Sequence, residues 1–295
     1  MLSVLRFVPD WSPAQWLRAC YILATSLVLG VAILPKRARG YLLTYGARGS
    51  KPAVEEGTGE PRQGRLVAFV TSCGQIPHSW FASFYMVSVA CSVFWLIQYL
   101  TDGRILHFLT TRQAAASAPG MEPGQVVLLW TLMFLQGSRR LVESLVLVKP
   151  GSKSTMWIVH WLLAIVFYTA MSLSVWIEGS VSPTTVAATI VYLVAAINQY
   201  QCHKHLASLK KYSLPDRGAF RSLICPHYTF ECLVYWSMAV AGAPKGELCN
   251  RTVIFGLFFV GTNLGVTAGT SRTWYEGKFG VDAVKKRWNM IPLLY

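Results

Sequence analysis

The chain is expected to be an all-α membrane helix bundle with seven transmembrane helices, and three observations lead there. It is 53% hydrophobic and only 14% charged over 295 residues, where a soluble domain carries about a quarter charged residues. Its net charge is nevertheless +14, which suits a membrane protein whose basic residues gather in loops on one side. Seven apolar runs alternate with polar connectors, and the Lys and Arg flank those runs instead of striping one helix face. That placement argues against nucleic acid as the partner of the positive charge.

Residues 1–15 form a short polar lead, and Trp11 and Trp16 suit the interface belt. The first span covers about 16–34, enough to cross roughly 30 Å of hydrocarbon at about 1.5 Å per residue. It is long and ends in Leu34-Pro35-Lys36-Arg37, so it is read as a retained span, not a cleaved signal. Residues 35–78 make the longest connector, and its Gly/Pro/Glu stretch from Lys51 to Gly64 is expected to be mobile. The second span covers about 79–100, followed by a connector through Gly124. The third, about 126–148, is interrupted by Arg139, Arg140 and Glu143. The fourth covers 156–177, the fifth about 184–197, the sixth 229–242 and the seventh 253–269. Residues 270–295 form an aromatic and basic tail. No internal repeat or second domain is visible, so 1–295 is read as a single transmembrane domain.

Basic residues set the orientation. The connectors after spans one, three and five, with the tail, hold 19 of the 27 Lys and Arg, and the opposite side holds 5. The positive-inside rule then puts the N-terminus in the lumen and the C-terminus in the cytosol. Asn250-Arg251-Thr252 is an N-glycosylation acceptor pattern that this topology places on the lumenal side. The seven cysteines are an odd number without a C-x-x-C pair, which argues against a disulfide framework or a zinc ribbon.

Two acids fall inside spans, Glu143 and Glu231. An ionisable side chain there is costly unless it is paired or reaches water, so it marks a functional site. Arg139 and Arg140 lie four and three residues before Glu143, close enough to meet it on one helix face; a structural ion pair reaching toward the interface is the plain alternative. Around Glu231 runs the segment on which the chain is organised. It starts with Asn198-Gln199-Tyr200-Gln201-Cys202-His203-Lys204-His205, passes a basic connector, and continues as Pro226-His227-Tyr228-Thr229-Phe230-Glu231. Polar and basic residues set between two apolar runs read as half of a cofactor pocket opening to the cytosol. The His-x-His pair lacks the three or four converging ligands a metal needs, so no metal is expected. There is no G-x-G-x-x-G after a strand, no Walker loop and no G-x-S-x-G elbow. Any nucleotide must therefore be held by side chains on helices and loops. Gly265 to Gly269 is read as close packing, not a phosphate cradle.

Taken with Leu135-Gln136-Gly137-Ser138-Arg139-Arg140-Leu141-Val142-Glu143-Ser144, the tail Arg272-Thr273-Trp274-Tyr275-Glu276-Gly277-Lys278-Phe279 and the ending Ile291-Pro292-Leu293-Leu294, these motifs resemble the steroid 5α-reductase family. The likeness is strongest to its polyprenol (polyprenal) reductase branch. It covers about 130–295; the first 130 residues match in hydropathy and in Pro77 to Tyr85. The resemblance implies a multi-pass enzyme of the endoplasmic reticulum membrane that binds NADPH from the cytosolic side. It implies that 130–295 binds this cofactor while 1–130 supplies substrate-side helices, and that the reaction saturates the α-isoprene unit of polyprenoid chains on the way to dolichol. By motif position, Arg140, Gln199, His203, Lys210, His227, Glu231 and Tyr275 are cofactor-pocket residues, and Arg272 is a weaker member. The chain departs from the family where His227 stands in place of a frequent Asn, and in a region around Arg272 that is often His-rich.

Hydride transfer needs an electrophilic carbon, which an isolated allylic alcohol lacks. The sensible substrate is the conjugated enal, in which hydride adds at the β-carbon while charge develops on the carbonyl oxygen. A donor aimed at that oxygen favours the transition state. Gln75 and Tyr85 are the candidates; a capping role for Gln75 and bundle packing for Tyr85 are the plain alternatives. Lys210, Lys211 and Arg217 suit phosphates, a charged partner for a 2′-phosphate favouring NADP over NAD. Glu231 is expected to receive amide or ribose donors, not protons. The polyprenoid tail is expected to come in from the bilayer past Phe81, Phe84, Phe94 and Trp95, residues that also suit ordinary bundle packing. Three rival readings stay open: a 3-oxo-Δ4 steroid reductase, an S-adenosylmethionine-dependent isoprenylcysteine-type methyltransferase, and a non-enzymatic scaffold or transporter.

Overall fold

The computed structural model describes residues 11–35, 39, 74–116, 118–147, 155–210 and 213–295. The expected mobile stretch 51–64, most of the first connector and Lys211 lie outside them. Among the described residues eight α-helices follow one another: α1 Pro13–Ala32, α2 Ala82–Leu100, α3 Arg104–Ala115, α4 Pro123–Val146, α5 Ile158–Ser174, α6 Thr185–Ser208, α7 Pro226–Ala241 and α8 Arg251–Phe279. Seven of them occupy the seven expected runs. Pro13–Ala32, His78–Leu100 and Arg251–Phe279 are long and apolar enough to cross a membrane by length and composition.

Local chemistry explains several helix starts. Ser12 and Gln15 form a reciprocal capping box, with the Ser12 hydroxyl accepting from the Gln15 N–H at 3.2 Å and the Gln15 Oε1 accepting from the Ser12 N–H at 2.7 Å. Pro13, Pro123 and Pro226 each open a helix, where the missing N–H costs nothing. Gly280 ends α8 with φ +87°, a conformation that suits glycine.

The structure corrects the expected boundaries at three places. α6 does not stop near residue 197 but runs to Ser208, so Gln199 and His203 lie on a helix face. α8 does not stop near 269 but runs to Phe279, carrying Arg272 and Tyr275 with it. The connector after α2 contains α3, which the apolar-run criterion passed over because its residues average near neutral hydropathy. In addition, β1 Gln75–Pro77 pairs antiparallel with β2 Thr155–Trp157, Gln75 opposite Trp157 and Pro77 opposite Thr155. This short ribbon joins the segments leading into α2 and α5.

The main apolar cluster of the core buries Tyr21, Leu129, Phe167, Met171, Tyr235, Met238, Val253 and Phe259. α8 comes close to α1 and α5 at Gly256, where a Cβ would sit 2.2 Å from Met171 Cε and 3.3 Å from the Tyr21 ring. Gly265 and Gly269 do serve packing, against the end of the chain. The Tyr295 hydroxyl donates to the Gly265 carbonyl at 3.2 Å, and a Cβ on Gly269 would lie 2.8 Å from that hydroxyl.

At the end of the bundle where α1 and α8 begin, Glu178 is 1% exposed. Arg18 Nη2 donates to its two carboxylate oxygens at 2.7 and 2.9 Å, and the Thr252 hydroxyl donates to Oε1 at 2.7 Å. Asn250, also fully buried, uses Oδ1 to cap the Val253 N–H at 2.9 Å and donates Nδ2 to the Glu178 carbonyl at 2.6 Å. The sequon therefore reads as a helix cap: both atoms of the Asn250 amide are engaged inside the fold.

Candidate functional site

Four helices present polar faces to one another at the opposite end of the bundle. On α4, Gln136, Arg139, Arg140 and Glu143 fall at i, i+3, i+4 and i+7, one stripe of a 3.6-residue helix. Gln199 and His203 are four apart on α6, and His227 and Glu231 are four apart on α7. Tyr85 comes from the first turn of α2.

These faces interlock through charge-assisted bonds. Arg140 Nη1 donates to Glu143 Oε2 at 2.5 Å, and its Nη2 donates to the Tyr85 hydroxyl oxygen at 2.6 Å. Arg139 pairs with the other Glu143 oxygen and donates to Gln136 Oε1 at 2.7 Å and to Gln199 Oε1. The Gln199 amide donates to Glu231 Oε2, and Gln136 Nε2 reaches both Glu231 oxygens at 3.4 Å. His203 Nδ1 lies 2.6 Å from Glu143 Oε2 and 2.8 Å from Arg140 Nη1. One ring nitrogen cannot donate to the carboxylate and accept from the guanidinium at once. Two arginines face two carboxylates, so the cluster balances its charge. Desolvating isolated ions of this kind costs several kcal/mol each; multiple hydrogen bonds to each charge offset that penalty here.

A cavity of about 210 Å³ adjoins the network. Arg140, Gln199, His203, His227 and Glu231 supply its polar end. Phe84, Leu163, Ala164, Phe167, Phe259 and Val260, from α2, α5 and α8, supply an apolar end. Tyr85 lines it too, buried to 4% exposure. Its ring meets Phe81 and Tyr168 edge-on at 5.6 and 5.5 Å between centroids. His78, just after β1, and Met156, in the middle of β2, also line the wall.

The structure thus brings Tyr85, Arg140, Gln199, His203, His227 and Glu231 to one cavity. Gln75 does not line it; it is exposed on β1. Lys210 is exposed just beyond α6. Arg272 is tied to the tail, donating Nε to Asn289 Oδ1 at 2.5 Å and Nη1 to the Val284 carbonyl at 3.3 Å, besides a bond to the Arg287 carbonyl. Tyr275 is buried beside Ile224, Cys225, Ala268, Val284 and Met290, behind the cavity wall formed by Tyr228 and Leu264. Of the aromatics expected along the substrate path, Phe81 and Phe84 line the cavity; Trp95 packs in the core and Phe94 is exposed. His203 and His205 diverge, since His205 packs against Phe220 and faces Asp216 at 3.7 Å.

Gln136, Tyr168 and Tyr235 enter the site without having been singled out in the sequence. Gln136 carried a signal, its three-residue offset from Arg139. The two tyrosines carried none, because within an apolar run a tyrosine looks like bundle packing.

A family model described as 3-oxo-5-alpha-steroid 4-dehydrogenase matches residues 152–295. Its match starts just before β2 and takes in α5 to α8, including Gln199, His203, His227 and Glu231. Over that stretch, just under half of its length, the chain is similar to this family. Among curated proteins it is similar to the polyprenal reductase of Saccharomyces cerevisiae, 30% identical over 50% of this chain and 57% of the yeast protein. It is 24% identical to polyprenal reductase 1 of Oryza sativa subsp. indica over 96% of this chain and 98% of the rice protein. It is 26% identical to the polyprenal reductase of Xenopus tropicalis over 75% of this chain and 80% of that protein. The polar end of the cavity thus joins the matched helices α6 and α7 to Arg140 and Tyr85, which precede the match.

Proposed function

We propose that this protein is a polyprenal reductase of the endoplasmic reticulum membrane, reducing the α-isoprene double bond of polyprenal with NADPH in dolichol synthesis. The observation that carries the reading is the position of the Tyr85 hydroxyl. It is held by Arg140 at 2.6 Å, where the polar cluster meets the apolar cavity. That is where the one oxygen of a hydrocarbon-tailed aldehyde needs a donor.

The chemistry of the donor set fits a nicotinamide nucleotide. Gln199, His227 and Glu231 offer amide, ring and carboxylate groups for a carboxamide and ribose hydroxyls, and no glycine-rich loop is required. The exposed Lys210 and Arg217, on the segment after α6, suit phosphates. The bound reduced nicotinamide supplies the hydride. Tyr85 accepts from Arg140, so its own proton is free to reach the carbonyl oxygen. The Arg140 charge behind it favours the enolate that develops there. The apolar walls keep water from this reaction centre, and Phe81 and Phe84 receive the first isoprene units.

The same reading makes all seven helices in the expected runs transmembrane, with the N-terminus lumenal and the C-terminus cytosolic. The cavity lies at the end of α4 and α6 from which basic connectors leave, so cofactor arrives from the cytosol and the lipid from the bilayer. The test is NADPH oxidation by the purified protein offered polyprenal, polyprenol and a 3-oxo-Δ4 steroid in parallel. Polyprenal alone, or most strongly, is the expected substrate. Preference for the steroid, or stabilisation by S-adenosylmethionine but not by NADPH, overturns the assignment.

A further inference from the structure

Tyr235 follows Glu231 by four residues on α7, so both side chains lie on one face of the helix, a turn apart. It is fully buried and lines the cavity. Phe167 meets its ring edge-on at 5.7 Å between centroids. Its hydroxyl nevertheless has no hydrogen-bond partner among the described residues. Leaving a buried phenol unpaired is costly, and buried tyrosines normally find a partner for the hydroxyl. A phenylalanine would fill the same space without that cost. Of the other cavity tyrosines, Tyr85 is engaged with Arg140, and Tyr85 and Tyr168 are both electrostatic neighbours of Tyr235.

We propose that Tyr235 donates a second hydrogen bond to the carbonyl oxygen of the substrate, beside Tyr85. The inference rests on the enal-reductase reading of the cavity. A developing enolate oxygen has lone pairs for two donors, and Tyr85 can fill only one place. Phe167, which packs against the Tyr235 ring, offers no competing acceptor. A polyprenoid aldehyde brings a single polar atom to this depth, and the unpaired hydroxyl of Tyr235 belongs with it. The hydroxyl keeps its proton throughout; it orients and polarises.

The test compares the wild type with Tyr235→Phe in the purified, full-length protein. The variant is expected to fold with an unchanged or higher Tm and unchanged NADPH affinity, while kcat with polyprenal falls roughly 10- to 100-fold. Competitive inhibition is the discriminating readout. A short saturated isoprenoid aldehyde should bind the variant about tenfold more weakly, whereas the hydrocarbon of the same skeleton binds both proteins equally. A kcat within twofold of wild type, or equal weakening of aldehyde and hydrocarbon, overturns the inference. A wild-type protein inert toward polyprenal overturns the parent reading, and this one with it.

Discussion

Arg140 holds Tyr85 in two ways: Nη2 is 2.6 Å from the hydroxyl oxygen, and the guanidinium carbon stands 4.8 Å from the centroid of the same ring. The second contact is within cation–π range. Orientation of the phenol is therefore fixed by a residue on α4, although Tyr85 itself belongs to α2. Tyr85→Phe keeps the ring contact and removes the hydroxyl. Its kcat is expected to fall on the order of 100-fold, with NADPH-induced thermal stabilisation retained. Activity within threefold of wild type would release Tyr85 from the carbonyl.

Arg140→Lys tests the fork. The guanidinium serves Tyr85 through one nitrogen and Glu143 through another, and an ammonium on a flexible stem does not reproduce both. The lysine variant is expected to stay at least tenfold below wild type in kcat/KM. Full rescue by lysine shows that charge alone suffices.

Glu231 accepts from both Gln199 and Gln136, so Glu231→Gln removes a charge from a balanced cluster. NADPH affinity, read by calorimetry or thermal shift, is expected to weaken about tenfold or more, as hydrogen bonds to charged groups contribute about 1.5–3 kcal/mol. An unchanged affinity excludes Glu231 from the cofactor pocket.

At the other end of the bundle, Arg18→Ala strands the buried Glu178 carboxylate. Breaking such a pair typically costs about 3–5 kcal/mol. The variant is expected to melt well below wild type in detergent with its KM for polyprenal unchanged, because Arg18 and Glu178 do not line the cavity. A raised KM without loss of stability would link the two ends functionally.

Asn250 gives the fifth contrast. Expressed in a host that glycosylates, the protein is expected to show no mobility shift with an endoglycosidase attributable to this sequon. Asn250→Ala should lower stability by at least the roughly 0.5–2 kcal/mol of a lost helix cap. A glycan found on Asn250 contradicts its burial.

Much of this fold was legible because long apolar runs mark the helices directly. The misjudged limits of α6 and α8 have a common cause: both helices continue as polar segments past the apolar run, so an apolar criterion stops too soon. The site was legible where charge was out of place, as at Arg140, Glu143 and Glu231. It was also legible where spacing of four put two polar residues on one face, as at Gln199 and His203. Motif likeness alone extended the list to Arg272, which bonds to the tail, and Tyr275, which packs in the cluster with Tyr228. Arg18 was the missed clue, a cation within an apolar run whose acid, Glu178, stands 160 positions away along the chain.

Arg140, Gln199 and Glu231 come from three separate helices, α4, α6 and α7. A molecule gripped by all of them ties three rods together, so its binding free energy is also cohesion of the bundle. At a hundred times its dissociation constant a ligand contributes about 2.7 kcal/mol against unfolding. During solubilisation, then, a saturating dinucleotide should act as a brace, and detergent extracts prepared without it should lose the α4–α6–α7 arrangement first.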